Sequence, residues 1–302
     1  MAREIARRRG ATGVLAPGLG LRATVRRHPV AAYFVAAYAI SWSLWLPRVA
    51  TAQGWWRHDV PAWWHYAGAF GPLLAAALIA ALSGGRAALK ALAAQYAPSR
   101  VPRPWLAFAV ASPLVLAAVG LVAARAVDGS WPGLAALSRA GDLPPMAMPL
   151  ALLVQVLTFG VGEETGWRGF ALPRLQRDRP AIRATHLLAL GWGLWHLPAF
   201  FENASFMDMG ILQVAGWAIG LWMGAIFLTW LYNSGGGSLI VVALWHGLFN
   251  QFSASQASGV VAMTITLGVI VVAVAALRLA GPQDHTGLSP RAGARQRYPA
   301  IG

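Results

Sequence analysis

Residues 146–168 read MAMPLALLVQVLTFGVGEETGWR, an apolar run that closes on two adjacent glutamates and an arginine. At 1.5 Å per helical residue, such a run approaches the roughly 30 Å hydrocarbon thickness of a bilayer. It is continuously apolar rather than alternating with period two, which favours a helix over a barrel strand. Similar runs recur on both sides of it. They place membrane spans at 30–47, 63–83, 105–124, 146–163, 186–201, 211–232, 238–252 and 258–280. The expected fold class is an all-α, polytopic membrane helix bundle with about eight transmembrane helices. Composition agrees, because 57% of the 302 residues are hydrophobic and 11% charged, whereas a soluble domain carries about a quarter charged residues.

The basic residues report topology. Of 24 Lys and Arg, 20 fall in the arm before the first span, in the 84–104 and 164–185 connections and in the segment from Arg278 onward. Only Arg48, Arg57, Arg125 and Arg139 fall in the alternate connections. By the positive-inside rule both termini are expected in the cytoplasm, as in a multi-pass cell-membrane protein. The same distribution explains the net charge of +14 without nucleic acid, so the bilayer is the expected partner. Residues 1–28 read as a basic disordered arm rather than a signal peptide, 29–280 as the transmembrane domain, and 281–302 as a disordered tail. Trp55, Trp56, Trp63, Trp64, Tyr66, Trp230 and Tyr232 sit near span ends and read as interfacial aromatics. With no cysteine in the chain, thiol chemistry is excluded.

An ionisable residue inside a span costs about 2.5–3.5 kcal/mol on insertion scales, so each one asks for an account. Of the four glutamates, Glu4 and Glu202 lie outside the spans, and Glu163 and Glu164 close the fourth. If that helix continues, Glu164 and Arg168 are spaced i,i+4 with the acid first, the favourable order for an ion pair. Glu163 then points about 100° away, with no evident local partner and free for proton chemistry. His196 falls within the short fifth span. His246 and Asn250, again i,i+4, share one face of the seventh. The histidines at 28, 58, 65, 186 and 285 lie in tails or at span ends and ask for no special account. None of the first three spans carries an acid or a histidine near mid-depth, so the polar residues of the C-terminal half point to one site.

These residues resemble the CPBP membrane proteases, also called the Abi family, which includes the CAAX prenyl endopeptidases. Glu163-Glu164 with Arg168 matches the motif E-E-x-x-x-R, and His246 with Asn250 matches H-x-x-x-N. His196 matches F-x-x-x-H, except that Trp192 stands where the family usually has Phe. The matching region, about 146–252, is read as the catalytic core.

The resemblance implies an intramembrane endopeptidase, CAAX-protease-like and of metalloprotease or glutamate type, with a polar cavity open to the cytoplasmic side. Glu163 with His196 would activate a water, His246 and Asn250 would stabilise the oxyanion, and Glu164 with Arg168 would give structural support. One divalent metal, zinc, held by Glu163, His196 and His246, is one reading. A metal-free glutamate mechanism uses the same residues, and Asn250, a poor zinc ligand and a natural oxyanion donor, favours it. The expected partner is a peptide or membrane-protein substrate. A non-catalytic scaffold or bacteriocin-immunity protein binding a peptide in the same cavity is the competing class. A transporter is a further one, weakened by the absence of paired broken helices in matching halves.

Overall fold

The structure, a computed structural model, describes residues 20–141 and 143–279. Helix α1 (Leu21–Arg27) leads into α2 (Pro29–Ala52), α3 (Gly71–Ala93) and α4 (Arg103–Asp128). A helical path over 148–175, α5, follows. It begins as an α-helix over Met148–Gln155 and widens to π turns at Val156–Glu163 and again at Trp167–Ala171. Then come α6 (Ala181–Trp195), α7 (Ile211–Ser234), α8 (Leu239–Ser253) and α9 (Gly259–Leu279). No strand occurs among the described residues, where an isolated bridge joins Ala140 to Ser255.

Helix stands at each place where a span was expected. Among the described residues, five segments are long and apolar enough to cross a membrane: Pro29–Ala52, Ala62–Tyr96, Arg103–Asp128, Ile211–Ser234 and Gly259–Arg278. The remaining three differ in kind. Helices α6 and α8 have 15 residues each, a length of about 22 Å, and α5 is interrupted by its π turns. Large apolar side chains project outward from the long helices, among them Val115, Val119 and Val122 on α4 and Met263, Leu267 and Val271 on α9. An apolar belt facing outward and a polar interior are what a hydrocarbon solvent selects, and the chain is a multi-pass membrane protein.

Several expectations are corrected. The fourth span does not end at Glu163, since the helical path runs twelve residues further, to Leu175. The glutamates therefore lie inside a long element rather than at its rim. The fifth span was expected to run to 201, but α6 stops at Trp195 and His196 occupies its C-cap. Pro198 follows, before a separate short helix at Ala199–Glu202. Residues 21–27, assigned to the disordered arm, are helical, while residues 1–19 and the 281–302 tail lie outside the described residues. The expected end of the second span at residue 83 falls beside a sharp kink at Gly85, whose φ of +62° favours glycine. Tyr66 and Tyr232, read as interfacial, are buried.

Helix α5 is enclosed on all sides over residues 162–172, the environment that makes a helix buried all round. Helix α8 packs directly along its π-turn segment. The approach is close because both helices present glycine there: Gly160 lies against the backbone of Ala243, and Gly247 against that of Val156. A Cβ on Gly247 would stand 2.5 Å from Val156 Cα, a backbone atom that has no room to move aside. Gly247→Ala is expected to force the two helices apart and to destabilise the protein by about 1–3 kcal/mol, read as a lower thermal unfolding midpoint in detergent.

Candidate active site

The two adjacent glutamates divide between neighbouring helices. Glu163 turns toward α6, where its Oε2 accepts hydrogen bonds from the indole N–H of Trp192 at 2.7 Å and of Trp167 at 3.2 Å. Its other oxygen, Oε1, accepts no hydrogen bond among the described residues. Glu164 turns toward α8. Its Oε1 accepts from Arg168 Nη1 at 2.8 Å and pairs with His246 Nδ1 at 2.7 Å. Glu164 and Arg168 have no exposed surface, and Glu163 and His246 expose 2% and 3% of theirs.

The i,i+4 pairing of Glu164 with Arg168 is as the spacing predicts. That Glu163 has no local partner is corrected, because Trp167, four residues on, is one. This spacing was readable in the sequence. Trp192, 29 residues away, was not.

His196 is oriented by the backbone. Its Nδ1 lies 2.8 Å from the carbonyl oxygen of Trp192. A carbonyl only accepts, so Nδ1 carries the proton and Nε2 is the ring's remaining polar atom. The rings of Trp195, Trp217 and Phe206 surround it at 4.9–6.3 Å between centroids. His246 lies edge-on to Trp192 at 5.6 Å, and the Arg168 guanidinium sits 4.6 Å over the same indole. Trp192 thus touches Glu163, Arg168, His196 and His246, whereas no direct hydrogen bond joins Glu163 to either histidine. Asn250 is half-buried on α8, one turn beyond His246.

The candidate metal set of Glu163, His196 and His246 does not form a ligand cluster in this arrangement. Among the described residues no three His, Asp or Glu side chains converge as a bound ion requires. Glu163 Oε2 is instead saturated by indole donors, and one nitrogen of each histidine is engaged.

A second buried ionisable group was missed by the sequence reading, which set Glu202 and His65 aside. Glu202 is 2% exposed. Arg48 donates through Nε to its Oε2 at 3.1 Å and through Nη2 to its carbonyl at 3.0 Å, and His65 Nδ1 pairs with Oε1. His65 stacks on Trp45, which packs against Trp195 beside His196. This clasp ties the end of α2 to the segment that follows His196.

Residues 145–252 match the family model described as type II CAAX prenyl endopeptidase Rce1-like. Over 105 residues the chain is 31% identical to CAAX prenyl protease 2 of Methanococcus maripaludis. Over residues 145–252 the chain is thus similar to the CAAX-protease family. The aligned part covers 33% of this chain and 38% of that relative. Within this chain, the matched segment takes in α5 to α8, including the three elements that carry the clustered polar residues, and leaves α2, α3, α4 and α9 outside.

Arg168 is the counter-charge on which burial of Glu164 depends. Removing one partner of a buried ion pair costs about 3–5 kcal/mol, because the other charge is left uncompensated. Arg168→Ala is expected to lower the unfolding midpoint sharply. Arg168→Lys is expected to restore only part of it, since an ammonium lacks the flat face that rests on Trp192; differential scanning fluorimetry in detergent measures both.

Proposed function

We propose that this protein is an intramembrane endopeptidase that hydrolyses a peptide bond by means of a glutamate-activated water. The observation that carries the reading is the Glu163 carboxylate: buried, held through one oxygen by two indole N–H groups, and left with Oε1 free of any donor among the described residues. A carboxylate fixed on one side and open on the other has the form of a general base, with Oε1 as the atom that takes the proton of the attacking water.

His196, its Nδ1–H bonded to a backbone carbonyl, offers Nε2 as an acceptor and helps to hold that water. As the carbonyl carbon of the substrate becomes tetrahedral, negative charge develops on its oxygen. His246 and the Asn250 amide, one turn apart on α8, are assigned to donate to it. The Glu164 carboxylate, which accepts from His246 Nδ1, leaves Nε2 as the nitrogen that donates to the oxyanion when it carries a proton. Glu163 then returns the proton to the leaving amine nitrogen, the C–N bond breaks, and the carboxylate is regenerated. Arg168 takes no part in proton transfer and compensates Glu164. Every step uses only this chain's residues and one water.

The distribution of basic residues supports a cytoplasmic location for both termini and a site entered from the cytoplasmic side. The name of the archaeal relative makes a peptide ending in a prenylated Cys-aliphatic-aliphatic-X sequence the natural first probe.

In an assay of the purified protein in lipid vesicles with a fluorogenic farnesylated peptide of that form, Glu163→Gln is expected to lose at least about 100-fold in kcat with an unchanged unfolding midpoint. Asn250→Ala is expected to lose about 100-fold in kcat. Full cleavage by Glu163→Gln would overturn the assignment of the base.

A further inference from the structure

The side chain at the centre of this site is one for which neither motif chemistry nor the proposed mechanism provides a role. Trp192 stands four residues before His196, where the resembling family usually has phenylalanine. Phenylalanine could supply the ring perpendicular to His246 and the ring face beneath Arg168. It has no N–H. In this chain the indole nitrogen makes the shorter of the two hydrogen bonds to Glu163, 2.7 Å against 3.2 Å from Trp167.

A buried tryptophan N–H usually finds an acceptor, and here the acceptor is a carboxylate oxygen on another helix. Both donors converge on Oε2 and none on Oε1, so the pair defines which oxygen faces away. The peptide carbonyl of the same residue holds His196 Nδ1. One residue therefore sets the orientation of both groups assigned to the water, although they make no hydrogen bond to each other.

We infer that Trp192 is a positioning residue of the hydrolytic site: its indole N–H anchors Glu163 Oε2 and so presents Oε1 to the water, a role that phenylalanine at this position could not fill. The inference rests on Glu163 being the general base. Without the anchor, the carboxylate retains only the longer bond from Trp167 and samples orientations in which Oε1 is misdirected. Loss should therefore appear in turnover rather than in substrate binding.

Two replacements separate the donor from the ring. Trp192→Phe removes the N–H and trims the ring, whereas replacing Trp192 with 3-benzothienylalanine preserves the bicyclic shape and removes only the N–H. With the farnesylated peptide, both are expected to lower kcat about tenfold while KM stays within about twofold. The benzothienyl protein should unfold at the wild-type temperature. Wild-type kcat in the benzothienyl protein overturns the inference.

Glu163→Gln, run beside them, keeps the two ideas apart. If it is inactive while the benzothienyl protein is fully active, only the role of Trp192 falls; if it is active, the base assignment falls. Independently of catalysis, the ¹⁵N-indole resonance of Trp192, identified by its absence in Trp192→Phe, should shift in Glu163→Gln as a charged acceptor becomes neutral. An unmoved resonance overturns the anchor.

Discussion

A carboxylate, a guanidinium and an imidazole meet inside a helix that is buried on every side, and the placing of the neighbouring helices follows from that meeting. Glu164, Arg168 and His246 have almost no exposed surface. Several kcal/mol per ion are lost when charges leave water, and only close pairing offsets the loss. Two of the three lie on α5 at i,i+4, so their pairing is local. The third comes from α8, 78 residues beyond Arg168, and reaches Glu164 only because α8 lies hard against α5. Glycines at 160 and 247 make that contact possible by removing the side chains that would hold the two backbones apart.

The helices fall into two populations with different solvents. The long apolar ones, α2, α3, α4, α7 and α9, have the length and composition that hydrocarbon demands. The short or irregular ones, α5, α6 and α8, carry Glu163, Glu164, Arg168 and His246 on buried faces, while Leu153 on α5 and Leu190 on α6 project outward. Groups that are costly in lipid become tolerable where protein supplies a counter-charge. The π turns of α5 belong to this second population, in keeping with the frequent occurrence of wider turns at functional sites. Here they bracket the Glu164–Gly166 turn and accompany the divergence of Glu163 toward α6 and Glu164 toward α8.

The polar interior extends beyond one cluster. Arg48, Glu202 and His65 form a second compensated group, joined to the first through Trp45, which stacks on His65 and packs at a tilt against Trp195. Tyr232 donates to Gln95, which in turn donates to the carbonyl of Gly169 on α5, and Tyr96 meets Thr165. These contacts explain why residues that looked interfacial are interior. Proximity to the end of an apolar run gives depth along the membrane normal, not whether a side chain faces lipid or a neighbouring helix.

The chain's own pattern determined the membrane environment, the approximate place of each spanning segment and the Glu164–Arg168 pair, because a bilayer imposes length and apolarity on each segment separately and i,i+4 spacing is local. The Trp167 contact was legible by the same rule. The motif residues 163, 164, 168, 196, 246 and 250 were found from their types and order, yet their grouping was not. Only the tertiary structure decided that Glu163 is held by Trp192, that His246 pairs with Glu164, that His196 caps a helix rather than lying within one, and that Glu202 is buried. Each of these depends on how two helices cross and on the register of the π turns, and neither quantity is written in the hydropathy or spacing of a single segment.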